Sequence, residues 1–237
     1  MLNGYWAVRL VSSFILNVFF SRIEVVGKHH LEGVQEGPVI FVGNHANQFL
    51  DPATLVSTAQ RPVGFLIAAV SMKRFFIGAM ARALQSIPVM RAQDLARPAA
   101  GTIGADGVRV TGVGTKFLTD LVPGESLKVR GQATTPVVLS VESDTELTLK
   151  FPFDEPVVKA GFKVFPKLDH HQVYEKVFER LNAGGAIGIF PEGGSHDNPH
   201  LIPLKAGVTV MALGAMDKYQ DLKVCACFHF ATALFIY

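Results

Sequence analysis

The 237-residue sequence predicts an α/β fold: a mixed sheet flanked by helices, with a small all-β insertion. Three observations lead there. Short β-rich apolar runs alternate with segments of helical periodicity over residues 25–100, and the same alternation resumes over 166–237. Between them, residues 101–165 change to short alternating strands at close spacing, separated by Gly, Pro and Asp turns. The composition fits a chain with a large core or a membrane contact: 49% of residues are hydrophobic, 18% are charged, and the mean hydropathy is +0.30. Disorder is excluded on that ground, and a net charge of +2 excludes a strong nucleic-acid footprint. Cys225 and Cys227 stand one residue apart, too close for a comfortable structural disulfide, and their alternation fits buried strand positions better than zinc ligands.

The first element is the apolar run from Tyr5 to Phe20, shorter than the roughly 20 apolar residues a bilayer span needs. Arg9 interrupts it and no small-residue cleavage site follows, so it does not read as a signal peptide. Arg9, Ser13 and Asn17 recur every fourth residue, one polar stripe on a helix that carries Trp6, Phe14 and Val18 around the remainder. This pattern predicts a helix lying in a membrane interface over residues 1–24; the alternative is a terminal helix packed on the core. Val39 to Val42 follows as a short strand, and Asp51-Pro52 opens a helix with Asp at the cap and Pro at the first helical position. Pro62 to Val70 reads as a buried strand. Phe75, Phe76, Ala79, Met80, Ala83 and Leu84 mark an amphipathic helix, and Ile87-Pro88-Val89 a further strand.

In the insertion, strands are expected at 108–110, 126–129, 137–141, 146–151 and 161–165. Balanced charge and ordinary half-buried alternation make it a packing or interaction module. Beyond it, Asp169 caps a helix whose Val173, Val177, Phe178 and Leu181 form one apolar stripe; Gly184-Gly185 ends that helix and Ala186 to Phe190 enters a buried strand. A further helix covers Val208 to Met216. The last run, Val224 to Tyr237, is also short for a span and closes the sequence without turn or polar tail, which predicts a truncation within a longer protein or an aberrant gene model.

Three stretches put polar residues where a strand meets a loop, the position at which α/β sheets build sites. In Gly43-Asn44-His45-Ala46-Asn47-Gln48-Phe49-Leu50-Asp51-Pro52, a histidine follows a strand and a carboxylate stands six residues on, a spacing open to a base and its orienting partner. On one regular helix six residues separate side chains by about 240°, so the two meet only if His45 precedes the helix. A plain N-cap for Asp51 and a structural histidine remain the alternatives. Ile87-Pro88-Val89-Met90-Arg91 ends a strand on a guanidinium able to grip a phosphate with two prongs. Ile189 to Asp197 places Glu192, Gly193 and Gly194 after a strand, where backbone N–H groups can face an anion, and Leu201 to Val208 follows.

In this order the blocks resemble the glycerolipid acyltransferases of the glycerol-phosphate and lysophosphatidate type. Asn44-His45 through Asp51-Pro52, Ile87 to Arg91, Phe190-Pro191-Glu192-Gly193 and Ile202-Pro203-Leu204-Lys205-Ala206-Gly207 look like the family's four blocks, over roughly residues 25–215, and the wording is most similar to the fungal-type branch. The resemblance divides the chain into a membrane-interface helix (1–24), an acyltransferase domain in two parts (25–100 and 166–237, the second cut short) and the inserted β module (101–165). It implies acyl-CoA as co-substrate, no cofactor and no metal, and glycerol 3-phosphate or dihydroxyacetone phosphate as acceptor. It also implies a membrane-associated setting, the endoplasmic reticulum with the active site facing the cytoplasm. His45 would be the base and Asp51 its orienting partner, with Arg91, Glu192, Gly193, Gly194 and Pro203 around the substrate.

Two departures stand out. Five residues separate His45 from Asp51 where the family usually has four, and Gly194-Ser195 stands where it usually has Thr-Arg, so Arg91, Lys73 or Lys205 must supply positive charge for the phosphate. Two rival readings are a truncated, non-catalytic membrane-associated binding or scaffold relative, and a metal-dependent phosphoesterase using His45, Asp51, His196 and Asp197. His29-His30 and His170-His171 read as solvated surface.

Overall fold

A computed structural model describes residues 2–27, 37–194, 200 and 202–229. Along the chain run α1 (Leu2–Phe19), β1 (Val39–Gly43), α2 (Leu50–Thr58), β2 (Val63–Ala68), α3 (Phe75–Ala83), β3 (Ile87–Val89), β4 (Arg97–Pro98), β5 (Thr102–Asp106), β6 (Arg109–Val113), α4 (Phe117–Asp120) and β7 (Ser126–Val129). They continue with β8 (Val138–Val141), β9 (Glu146–Leu149), β10 (Val157–Ala160), β11 (Phe162–Phe165), α5 (His171–Asn182), β12 (Ala186–Ile189), α6 (Gly207–Lys218) and β13 (Cys225–His229). The chain forms two compact units, residues 1–89 with 170–237, and residues 90–169.

In the first unit five strands lie in the order β13-β1-β12-β2-β3, every neighbouring pair parallel. Alternation along β1 divides the core between two faces. Val39 and Phe41 join Tyr5, Val8, Leu55, Val56 and Leu84, contributed by α1, α2 and the end of α3, whereas Ile40 and Val42 join Val177, Leu181, Met211 and Ala215 of α5 and α6. Helices therefore cover both faces, as a parallel sheet requires. The antiparallel strands all lie in the second unit, as two sheets ordered β10-β5-β6-β9-β8 and β4-β11-β7, around a core that includes Ile103, Phe117, Leu127, Leu147 and Phe162. A buried Glu125 there takes Arg97 in a two-pronged ion pair, 2.8 and 3.1 Å, which satisfies a carboxylate the fold withdraws from water.

Several local expectations shift. α5 starts at His171 with His170 at the N-cap position, one residue later than expected, and the His170 side chain makes no cap bond. Its C-terminus is closed by glycine: Gly184 takes φ +72°, its N–H donates to Leu181 O, and the Gly185 N–H donates to Arg180 O, the paired bonds of a Schellman motif. α1 does pack on the core, through Tyr5, Val8, Ser12 and Leu16, and Arg9 donates to Ser57 O. The polar stripe thus borders the seam on the protein side, and Trp6, Leu10, Val11, Phe14, Ile15, Val18 and Phe19 point outward. α3 is turned the same way. It buries Gly78 and Ala81 and leaves Phe75 and Phe76 80% and 77% exposed, so of its expected apolar stripe only the end at Ala83 and Leu84 packs on the core. His29-His30, Ser195, His196, Asp197 and the end of the apolar run beyond residue 229 lie outside the described residues.

Candidate active site

β1 and β12 are parallel neighbours with Val42 paired to Ile189, so they leave the sheet side by side at its C-terminal edge. His45 and Glu192 each follow that pair by three residues and arrive together: the His45 backbone N–H donates to Glu192 Oε2 at 2.6 Å, and the Glu192 side chain is buried. This is the edge at which parallel sheets present polar residues. The wording of the first and third blocks meets there because the strands beneath them are in register.

The histidine precedes its helix, as the spacing argument demands. The cap differs from expectation. Asn47, not Asp51, caps α2: its Oδ1 accepts the N–H groups of Phe49 and Leu50 at 3.3 and 3.2 Å. Asp51 sits inside the first turn and reaches back, its Oδ2 accepting the Asn47 N–H at 2.8 Å and the His45 Nδ1–H at 3.0 Å. A reciprocal cap of this kind normally satisfies two backbone donors; here one acceptor atom serves the backbone and an imidazole. An ionised carboxylate only accepts, which assigns the ring proton to Nδ1 and leaves a lone pair on Nε2. The His45 and Asp51 side chains are 14% and 7% exposed. Phe190, the first residue after β12, lies flat on the imidazole, centroids 4.3 Å apart and planes 10° from parallel.

Phe190 O accepts the Gly193 N–H at 3.1 Å, closing a tight turn in which Gly193 takes φ +82°, a left-handed conformation that favours glycine. Pro191 O accepts the Lys205 N–H at 2.9 Å, which fastens the fourth block onto the third. A Cβ on Gly193 would stand 2.2 Å from Lys205 Nζ, so the ammonium lies over that glycine. Gly194 is exposed with open space where a Cβ would be, and Pro203 is exposed two residues before Lys205.

Of the other expected residues, Lys73 is exposed at the end of a 3-10 turn, Ala69–Lys73. Arg91 belongs to the second unit, where its Nε and Nη2 donate to Asp94 Oδ2 and Oδ1 at 2.7 and 2.8 Å. Those bonds hold the Asp94 carboxyl below the ordinary aspartate range and engage Arg91 through Nε and Nη2. Two site residues were not singled out by sequence reasoning. An Asn three positions before the first helical residue signals Asn47 as the cap; nothing in the pattern signals the stacking of Phe190. Among the described residues no group of three His, Cys, Asp or Glu could hold a metal ion, and His196 and Asp197 lie outside them.

A family model described as Acyltransferase matches residues 22–106 and 151–228, and the gap between the two stretches falls inside the second unit. The chain is 43% identical over 226 residues to glycerol-3-phosphate O-acyltransferase 1 of Saccharomyces cerevisiae, covering 89% of this chain and 30% of that protein. It is 38% identical over 228 residues to an uncharacterized acyltransferase of Schizosaccharomyces pombe, covering 89% and 33%. With glycerol-3-phosphate O-acyltransferase 2 of the same budding yeast it shares 30% identity over 259 residues, covering 90% and 34%. The chain spans about a third of the length of these curated relatives.

Proposed function

The chain belongs to the acyltransferase family, and from that premise we propose that it moves a fatty acyl group from acyl-CoA to the sn-1 hydroxyl of glycerol 3-phosphate or dihydroxyacetone phosphate. The observation that carries this reading is the His45 Nδ1–H bond to buried Asp51 at 3.0 Å, which leaves Nε2 as a base. Nε2 takes the acceptor's hydroxyl proton as that oxygen attacks the thioester carbonyl; Asp51 stabilises the imidazolium so formed. The tetrahedral intermediate then expels CoA thiolate, which takes the proton back from Nε2. Each step is completed without a covalent enzyme intermediate or a cofactor. Glu192 ties the His45 backbone in place, and Gly193, Gly194 and Pro203 shape the polar end of the site. For the acceptor phosphate, Lys205 is better placed than the sequence suggested, because its ammonium lies over the turn that carries Glu192 and Gly193. Arg91 is engaged with Asp94 through Nε and Nη2.

The His45→Ala chain tests the assignment: acyl transfer from acyl-CoA to glycerol 3-phosphate should vanish while the fold, followed by circular dichroism, stays. Retained transfer would refute the role of His45.

The working surface in this reading is a membrane, at the endoplasmic reticulum with the site facing the cytoplasm. Among the described residues no helix is long and apolar enough to cross a bilayer. The support lies in the outward faces of α1 and α3, which touch where Gly4 meets Ala83 and together expose Trp6, Phe14, Val18, Phe75, Phe76 and Met80. An exposed apolar face of this breadth suits a helix pair resting in the headgroup boundary.

A further inference from the structure

We propose that Phe190 is a positioning residue for the transfer, fixing the plane of the His45 ring, and that Phe65 and Gly188 in turn fix Phe190. The proposal rests on the reading of His45 as the base. An imidazole on a loop must be held in two respects, which nitrogen faces the carboxylate and how the ring plane is turned. The bond from Nδ1 to Asp51 settles the first. It is one hydrogen bond with a broad angular tolerance, so the ring can still rock about its Cβ–Cγ bond and sweep Nε2 through an arc. The Phe190 face, parallel to the imidazole to within 10° at a centroid distance of 4.3 Å, removes that freedom. With both constraints Nε2 has one direction. The phenyl face is also the negative part of an aromatic ring, so it favours the imidazolium that forms when the hydroxyl proton is taken.

Phe190 is itself braced. Phe65 of β2 lies parallel to it, centroids 6.1 Å apart and planes 7° from parallel, and is buried. Gly188 of β12 is the residue paired with Phe65 across the two strands. A Cβ there would stand 2.5 Å from Phe65 Cε1, 2.8 Å from its Cδ1 and 3.1 Å from Leu55 Cδ2. Absence of a side chain at 188 is thus what lets the Phe65 ring lie over the neighbouring strand. From the strand pair outward three near-parallel rings follow one another, Phe65, Phe190 and His45, whose last member performs the chemistry. Packing alone would account for a phenylalanine beside a histidine, but packing would be served equally by leucine or methionine.

That difference is the test. In the 237-residue chain, Phe190→Leu should lower kcat about ten- to a hundredfold, the scale on which misplaced reacting groups lose rate. KM for acyl-CoA and for glycerol 3-phosphate should each stay within about twofold, since binding contacts are untouched. Phe190→Tyr keeps the ring and should restore kcat to within about threefold of the parent. Independently of activity, the carbon-bound protons of the His45 imidazole should show an upfield ring-current displacement in NMR spectra of the parent and of Phe190→Tyr, lost in Phe190→Leu. Should Phe190→Leu fail to fold, Phe190→Met carries the same expectations. Unchanged kcat in the leucine or methionine variant, equal loss in the tyrosine variant, or no ring-current displacement in the parent would overturn the proposal. His45→Ala is run beside them. If it retains transfer the base assignment fails; if it is dead while Phe190→Leu is fully active, only the positioning role fails.

Discussion

Asp51→Asn puts the acid-base assignment under the sharpest strain, because it changes charge and almost nothing else. Oδ2 accepts two bonds, 2.8 Å from the Asn47 N–H and 3.0 Å from His45 Nδ1, and a carboxamide oxygen in the same place can accept both. In the resting state the loss is therefore small, a bond to a charged acceptor exchanged for a neutral one, about 1 kcal/mol of stability. In the transition state the ring becomes cationic. A charge-assisted bond contributes roughly 1.5–3 kcal/mol against about 0.5–1.5 for a neutral one, so the variant forfeits about 1–2 kcal/mol of selective stabilisation. At 1.36 kcal/mol per tenfold, kcat should fall about 5- to 30-fold. The assay is release of free CoA followed with a thiol reagent at saturating acyl-CoA and varied glycerol 3-phosphate, with a thermal melt on the same sample. A kcat equal to that of the parent, or a loss confined to KM, would refute the electrostatic role of Asp51. Asp51→Ala removes the acceptor outright and leaves two donors in a buried place, so it should cost about 2–4 kcal/mol of stability and is the poorer probe of mechanism.

Gly193→Ala should raise KM for the phosphate acceptor several-fold with little change in kcat: φ +82° is unfavourable for alanine by about 1 kcal/mol, and the new Cβ would displace the Lys205 ammonium. Lys205→Met should do the same without the backbone strain, and an unchanged acceptor KM in both would remove Lys205 from the site. Phe14→Asp with Val18→Asp on the outward face of α1 should abolish co-sedimentation with anionic lipid vesicles and leave the melting temperature unaltered; undiminished sedimentation would contradict membrane docking through this face. In the second unit, Arg91 depresses the folded-state pKa of Asp94, so their pair stabilises the protein above the ordinary aspartate pKa of about 3.9 and ceases to as pH falls through the folded value. Asp94→Asn should therefore be less stable by about 0.5–1 kcal/mol at pH 7, with a deficit that fades as pH falls through the lowered folded-state pKa of Asp94; a deficit independent of pH would contradict the linkage.

The residue pattern revealed most of the strands and helices, because the periods of 2 and 3.6 are local properties, but it passed over β4, β5, β10 and the single turn α4. It revealed that the first and third blocks belong to one site only through their wording. The physical reason they meet, that β1 and β12 are adjacent with Val42 opposite Ile189, is a long-range pairing that no local period encodes. Asp51 shows the limit from another side. Asp followed by Pro satisfies every rule for a helix start, yet Asn47 offers an earlier cap, and the carboxylate is released to bind His45. Both residues are good caps, and which one wins is decided by the imidazole that needs an acceptor.

The faces of α1 and α3 make a different point. Periodicity establishes that a helix has two unlike sides; it does not say which side meets the protein. The usual assignment, apolar side inward, assumes water outside. α3 buries Gly78 and Ala81, whose small side chains let the helix approach its neighbours, and turns Phe75, Phe76 and Met80 out. α1 buries Tyr5, Val8 and Leu16 with Ser12 in the seam and still turns out Trp6, Phe14 and Val18. Two helices in contact that are apolar on the side away from the core as well as toward it support the proposed docking on an apolar phase, since in water each exposed phenylalanine forgoes about 2 kcal/mol of burial.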